Sequence, residues 1–155
     1  MCNQELICVS GGLGHIIWAL GNNHSVSPYT IGYVCGRLES IALMIDARLG
    51  EGDLEIIDAP SSVFMNLSHS LIHLHNALND LANHNVLQKL NVSRIVSWLK
   101  EVNVTLWHLN LRLIYDVKGE NVLKIYNVPT PLPSYEDLAS KIEDLALQGY
   151  QILKG

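Results

Sequence analysis

Residues 61–118 contain neither glycine nor proline, and this feature most restricts what the chain can fold into. Such a stretch lacks the residues that usually interrupt a helix. Apolar residues recur within it at alternating steps of three and four, as on one face of a helix. The first seam consists of Phe64, Leu67, Leu71, Leu74, Leu78 and Leu81. The pattern predicts a helix at about 61–84 that pairs with a second helix, opened by Asn91, as an αα-hairpin.

A further helix is predicted at 28–49. Ser27 is a natural N-cap and Pro28 a natural first helical residue. The apolar stripe that follows consists of Ile31, Val34, Cys35, Leu38, Ile41, Ala42 and Ile45. Gly32 and Gly36 lie one turn apart, which favours tight packing inside a core over a specialised helix–helix contact.

Two patterns compete between Thr105 and Val117. The three–four rhythm continues through Leu106, Leu109 and Leu113, whereas an alternation of apolar and polar residues runs to Val117. Because Lys118 to Asn121 is typical of a turn and 122–128 is rich in β-formers, we expect the helix to end near 107–110. A small β-hairpin then covers about 111–128.

The C-terminal region predicts one more helix. Ser134 and Asp137 fit a capping box after a proline-rich connector, and Gly149 is the expected end. Residues 150–153 could add a terminal strand. Residues 53–58 fit either a short strand or a linker. Residues 4–20 fit either a single helix or a strand followed by a turn and a helix. The expected fold is mainly α (α+β), a single domain over 1–155. Its helical core spans 28–110, with 1–27 and 111–155 as appendages.

Composition indicates a folded domain with a substantial core. Hydrophobic residues make up 48% of the 155 residues and charged residues only 16%, which excludes a disordered chain. Three cysteines without a C-x-x-C favour a reducing compartment. The N-terminal residues lack a basic signal region, and the apolar run 6–20 is short and broken by glycines. We therefore expect a cytoplasmic protein without membrane contact.

Charge is divided unevenly along the chain. The formal net charge is −5, which argues against nonspecific binding of nucleic acid or anionic membranes. Residues 50–85 contain acids and no base. Residues 86–125 contain most of the bases, namely Lys89, Arg94, Lys100, Arg112, Lys118 and Lys124. We expect this basic region to contact a partner, either nucleic acid or an acidic segment of another copy.

Catalytic motifs are missing from the sequence. The glycines of Ser10–His15 fit neither the dinucleotide-binding nor the P-loop spacing, and there is no G-x-S-x-G and no H-E-x-x-H. His69 and His73 lie one helical turn apart and are a weak candidate for binding a divalent metal. They share a polar face with Asp80 and His84, opposite the leucine seam, so a solvated face is the favoured interpretation. We expect no cofactor.

Three functions are compatible with these features. The favoured one is a non-enzymatic helical subunit that mediates protein–protein assembly, in a larger complex or in a homo-oligomer. The second is a nucleic-acid-contacting subunit of a ribonucleoprotein, because Trp98, Trp107, Tyr115 and Tyr126 are interleaved with the basic residues. In size and order of elements the chain loosely resembles small subunits of archaeal CRISPR interference complexes. This resemblance also implies contact with nucleic acid. The third is a metal-binding protein using the two histidines.

Overall fold

The computed structural model describes residues 2–48, 61–83, 92–118 and 131–154. Over these residues the chain forms five α-helices and no strand: α1 (Cys2–Gly21), α2 (Pro28–Arg48), α3 (Ser61–Asn83), α4 (Val92–Lys118) and α5 (Tyr135–Lys154). The predicted helices 28–49 and 61–84 are confirmed within one residue. The residues of 53–58 and 122–128 lie outside the described ranges.

Local hydrogen bonds explain where several helices begin and end. The Tyr29 amide donates to the Ser27 hydroxyl at 3.2 Å, and the Asp137 amide donates to the Ser134 hydroxyl at 3.1 Å. Both predicted N-caps are thereby confirmed. After α1 the chain turns at Asn23, whose φ of 59° lies in the left-handed region that asparagine tolerates.

The five helices form a ring in which each packs mainly against two neighbours. Its order is α1, α2, α3, α5, α4, and contact between α4 and α1 closes it. One hydrophobic core draws residues from all five helices, and the whole seam from Phe64 to Leu81 is buried in it. The helical bundle predicted from the sequence is therefore confirmed.

The pairing predicted for the two long helices is wrong. In the ring α5 lies between α3 and α4, so these two helices do not form a directly packed hairpin. Helix α5 runs parallel to α3, since Phe64 contacts Tyr135 and His73 contacts Glu143. It runs antiparallel to α4, since the Trp98 indole nitrogen donates to the Leu145 carbonyl oxygen and Arg112, farther along α4, lies over the ring of Tyr135 at the start of α5.

The predicted β-hairpin at 111–128 is also wrong in its first half, because α4 continues as a helix through Lys118. Helix α4 contacts both α1 and α5, so a broad arc of its surface is buried. Leu109, Asn110 and Leu111 are consecutive and all buried. A helix that is buried on two sides carries apolar residues at steps of two as well as three and four. In this sequence those steps of two resemble the alternation of a β-strand.

The expected end of the last helix at Gly149 and the strand at 150–153 are wrong as well, since α5 continues to Lys154. A Cβ atom on Gly149 would lie 2.8 Å from Trp98 Cζ2 and 3.1 Å from Ala77 Cβ. Glycine at this position lets α3, α4 and α5 approach one another closely, within the helix rather than at its end. The N-terminal ambiguity is resolved as the single helix α1.

Candidate functional site

The most unusual surface among the described residues is the outer face of α1 and α2, opposite the core. Its exposed apolar side chains are Ile7 and Trp18 on α1 and Tyr29, Tyr33 and Leu43 on α2. Trp18 is 55% exposed and Tyr29 90% exposed. Large aromatic side chains left in solvent at this level are more typical of an interaction surface than of a solvated face.

Glycines lie between these side chains on the same face. They are Gly11 and Gly14 on α1 and Gly32 and Gly36 on α2, and a Cβ atom added to any of them would meet nothing within 4 Å. The tight core packing predicted for Gly32 and Gly36 is therefore wrong. Each glycine leaves a shallow hollow on the surface beside a projecting side chain.

The two helices are joined closely, so their outer faces form one continuous surface. A Cβ atom on Gly12 would lie 2.5 Å from Val34 Cγ2, which shows how near α1 and α2 approach. Next to this contact Arg37 Nη1 donates to both carboxylate oxygens of Glu5 at 2.8 Å. The Arg37 guanidinium also lies 5.0 Å from the centre of the Tyr33 ring. The charged side chains at the contact between α1 and α2 are thus paired with each other.

Trp18 is held in place by two histidine rings. The rings of Trp18 and His24 are stacked with centroids 5.0 Å apart, and those of Trp18 and His15 with centroids 6.1 Å apart. The Asn22 side-chain amide donates to the Trp18 carbonyl oxygen at 2.8 Å, which fixes the turn that carries His24. Because its neighbours restrict it, Trp18 would lose little conformational entropy on contact with a partner.

The six basic residues expected to contact a partner do not form one described patch. Arg94 and Lys100 are exposed on the first half of α4, whereas Arg112 lies about 18 Å of helical rise beyond Lys100. Lys118 is the last residue of α4, and Lys89 and Lys124 lie outside the described ranges. The expected contact through this region stays a prediction.

Arg112 is engaged within the bundle. Its guanidinium lies over the rings of Tyr115 and Tyr135, and its Nε is 3.7 Å from the Asp116 carboxylate. Tyr135 is buried, and this burial, followed by the proximity of Asp116, raises the pKa of the Tyr135 hydroxyl. The arrangement ties the end of α4 to the start of α5 and leaves little of Arg112 for a partner.

Trp98 is likewise occupied internally. It is buried, and its indole nitrogen donates to the Leu145 carbonyl oxygen at 2.9 Å. A base could stack on this ring only if α4 and α5 separated. Trp107 and Tyr115 are half-buried, and Tyr126 lies outside the described ranges.

Lys100 lines a cleft of about 530 Å³ between α4 and α5. Val104, Leu138 and Pro133 supply apolar walls, and Lys141 lies 3.8 Å from Glu101 at its margin. Asp137 also lines the cleft, so the charges around it are mixed. The cleft is therefore poorly suited to an anion such as a phosphate backbone.

His69 and His73, the weak candidate for a metal site, have different neighbours in the structure. His73 Nδ1 lies 2.7 Å from a Glu143 oxygen, which links α3 to α5. His69 lines an adjacent cleft of about 400 Å³ together with Glu136 and Asp144. Among the residues the structure describes, no three His, Cys, Asp or Glu side chains converge as ligands for a metal ion. His84 lies outside those residues.

Cys8 and Cys35 differ in their surroundings. Cys35 is buried, and desolvation raises the pKa of its thiol to about 11, so it is a poor nucleophile at neutral pH. Its carbonyl oxygen accepts a hydrogen bond from His75 Nδ1 at 2.9 Å. Cys8 lies half-buried beside Tyr33 and, chiefly by side-chain hydrogen bonding, raises the pKa of the tyrosine hydroxyl. Both cysteines thus support the contact of α2 with its neighbours.

Comparison of the chain with protein-family models, curated proteins and solved structures gives no match. Within the described residues, no helix has the length and hydropathy needed to cross a membrane.

Sequence reasoning missed the outer face of α1 and α2, although a signal for it exists. Residues 6–36 contain no Asp, Glu, Lys or Arg, while 16% of the whole chain is charged. Charged side chains normally cover the solvent side of a bundle helix. Their absence from Leu6 to Gly36, which covers most of α1 and the first half of α2, indicates a face that is adapted to contact with something other than water.

Proposed function

We propose that this chain is a non-enzymatic helical subunit that assembles with protein partners or with its own copies through the outer face of α1 and α2. The observation that carries the proposal is the combination of exposed aromatic side chains with a stretch free of charge. Tyr29 and Trp18 are the residue types that most often anchor protein interfaces. The five-helix ring is a rigid support for such a surface.

The contact surface proposed here differs from the basic region expected from the sequence. Arg112 is engaged with Asp116 and two tyrosine rings, which reduces the number of basic residues free to meet a partner. The nucleic-acid alternative is weakened because Trp98 is buried. The likeness to CRISPR small subunits also loses one of its elements, since residues 111–118 are helical.

The test is recovery of the tagged chain from its source cells as a complex of defined stoichiometry. We expect the complex to be lost with Tyr29→Glu and retained with Met65→Glu, a matched change at an exposed apolar residue of α3. A third variant, Arg94→Gln with Lys100→Gln, examines the basic region.

Each outcome of that experiment decides between surfaces. Loss of the complex only in the Arg94/Lys100 variant would assign the contact to the basic region instead. Recovery of a 17.2 kDa monomer without a stoichiometric companion would refute the assembly function.

A further inference from the structure

We propose that a second copy of this chain docks on the outer face of α1 and α2, so that two chains form a dimer with two-fold symmetry. This inference rests on the proposed assembly function and names the partner. In a two-fold dimer the same patch of both subunits meets itself, so the patch must contain both projections and hollows.

The outer face has both components. Trp18, Tyr29 and Leu43 project from it. Gly11, Gly14, Gly32 and Gly36 leave open space beside them. Aromatic and leucine side chains of one copy can fill the hollows of the other, and glycine on a helix surface lets a second helix approach closely.

The charge distribution favours a second copy at this face. Each chain carries a formal charge of −5, so two copies that meet through their acidic surfaces confront like charges. Residues 6–36 contain no Asp, Glu, Lys or Arg, and the nearby Glu5 and Arg37 neutralise each other. The exposed Glu39, between Gly36 and Leu43, lies 3.8 Å from His75 of α3. Contact through the outer face therefore brings the two chains together without a repulsive charge pair at its centre.

The size of the face is sufficient for a dimer of moderate stability. Helices of 20 and 21 residues are about 30 Å long, and two adjacent helices present a face about 20 Å wide. Contact over this face buries roughly 600 Å² per copy, or about 1,200 Å² in total, which is the lower end of the range for specific protein interfaces.

The experiment is sedimentation equilibrium of the purified 155-residue chain alone over micromolar concentrations. We expect a species of twice 17.2 kDa that dissociates on dilution. Trp18→Glu should weaken the association about 30-fold or more, as for a central anchor residue. Leu147→Glu is the matched control, since Leu147 is equally exposed but lies on α5.

A second variant separates a fitted contact from nonspecific stickiness. Gly36→Leu adds apolar surface but fills a hollow, so it should weaken a fitted dimer about tenfold or more, the change that 1.4 kcal/mol produces. Stronger association of Gly36→Leu, or equal weakening by Leu147→Glu, would overturn the proposal. Circular dichroism checks that all three variants keep their helical content.

The outcome for the wild-type chain distinguishes this inference from the function on which it rests. A monomer at every concentration overturns the dimer. If the source cells still yield a stoichiometric complex that Tyr29→Glu abolishes, the assembly function stands with a different protein on the face. Flotation of the monomer with phosphatidylcholine vesicles would assign the face to a membrane surface and overturn the dimer as well.

Discussion

Asn110 is the least expected residue of the core. Its side chain is fully buried on α4, and neither its amide nitrogen nor its oxygen has a hydrogen-bond partner among the described residues. A buried polar group without a partner costs about 1–3 kcal/mol of folding free energy. The fold tolerates Asn110 because the surrounding leucine seams of α4 supply a large apolar burial.

Replacing this residue should stabilise the protein. We expect Asn110→Leu to raise the free energy of unfolding by about 1–3 kcal/mol, because it removes both unmatched polar atoms. Asn110→Ala should lose far less than the 2–5 kcal/mol typical of truncation in a core. Urea denaturation measures both variants. Destabilisation by Asn110→Leu of more than about 1 kcal/mol would show that the amide is satisfied in solution.

At the scale of the helices, two glycines of the chain have opposite roles. Gly149 lies where α3, α4 and α5 converge, and Gly36 lies on α2 with open space around it. Alanine favours a helix over glycine by about 1 kcal/mol wherever its methyl group fits. The same substitution should therefore have opposite effects at the two positions.

We expect Gly149→Ala to lower the free energy of unfolding by about 1–3 kcal/mol, since the methyl group would overlap the buried Trp98 ring. Gly36→Ala should raise it by up to about 1 kcal/mol. Thermal and urea unfolding at low protein concentration compare the pair. A stabilised Gly149→Ala variant would mean that the three helices are farther apart than described.

The elements that were predicted correctly are those whose signals are local. The apolar stripes of α2 and α3 are buried, and the caps of α2 and α5 depend on Ser27 and Ser134 and on residues beside them. Three other features depend on contacts between residues far apart in the chain. They are the length of α4, the continuation of α5 through Gly149 and the choice of the helix that packs against α3. A sequence pattern cannot distinguish a glycine that ends a helix from one that admits a tryptophan ring.

The candidate site was missed for a related reason. Exposed Trp18 and Tyr29 belong to an apolar stretch, and such a stretch in isolation predicts burial. Only the ring of helices shows that α1 has more apolar surface than its two neighbours can cover. The charge-free length of 6–36 was the available signal, since a bundle helix with one solvated side ordinarily carries charge there.

At the scale of the whole molecule, α5 completes the bundle. It lies between α3 and α4 and contacts both, and residues of all five helices share one core. The buried seam of α3 faces α5 through contacts such as those of Phe64 with Tyr135 and Ala77 with Gly149. Without α5 this surface would be open to water.

Removal of residues 131–155 should therefore abolish cooperative folding rather than shorten the protein by one helix. We expect the truncated chain to lose its sigmoidal thermal transition and to bind a hydrophobic dye, because the core loses one of its walls. A synthetic peptide of residues 131–155, added in excess, should restore the transition. A truncated chain that unfolds cooperatively at the wild-type temperature would contradict this expectation.

The place of α5 in the ring also has a consequence for synthesis on the ribosome. The seam of α3 is complete at residue 81, but α5 is not complete until residue 154. At translation rates of about 5–20 residues per second, this interval lasts roughly 4–15 s. For that time the row of leucines on α3 lacks the cover of α5, so chaperones that hold apolar segments are expected to bind the nascent chain in this interval.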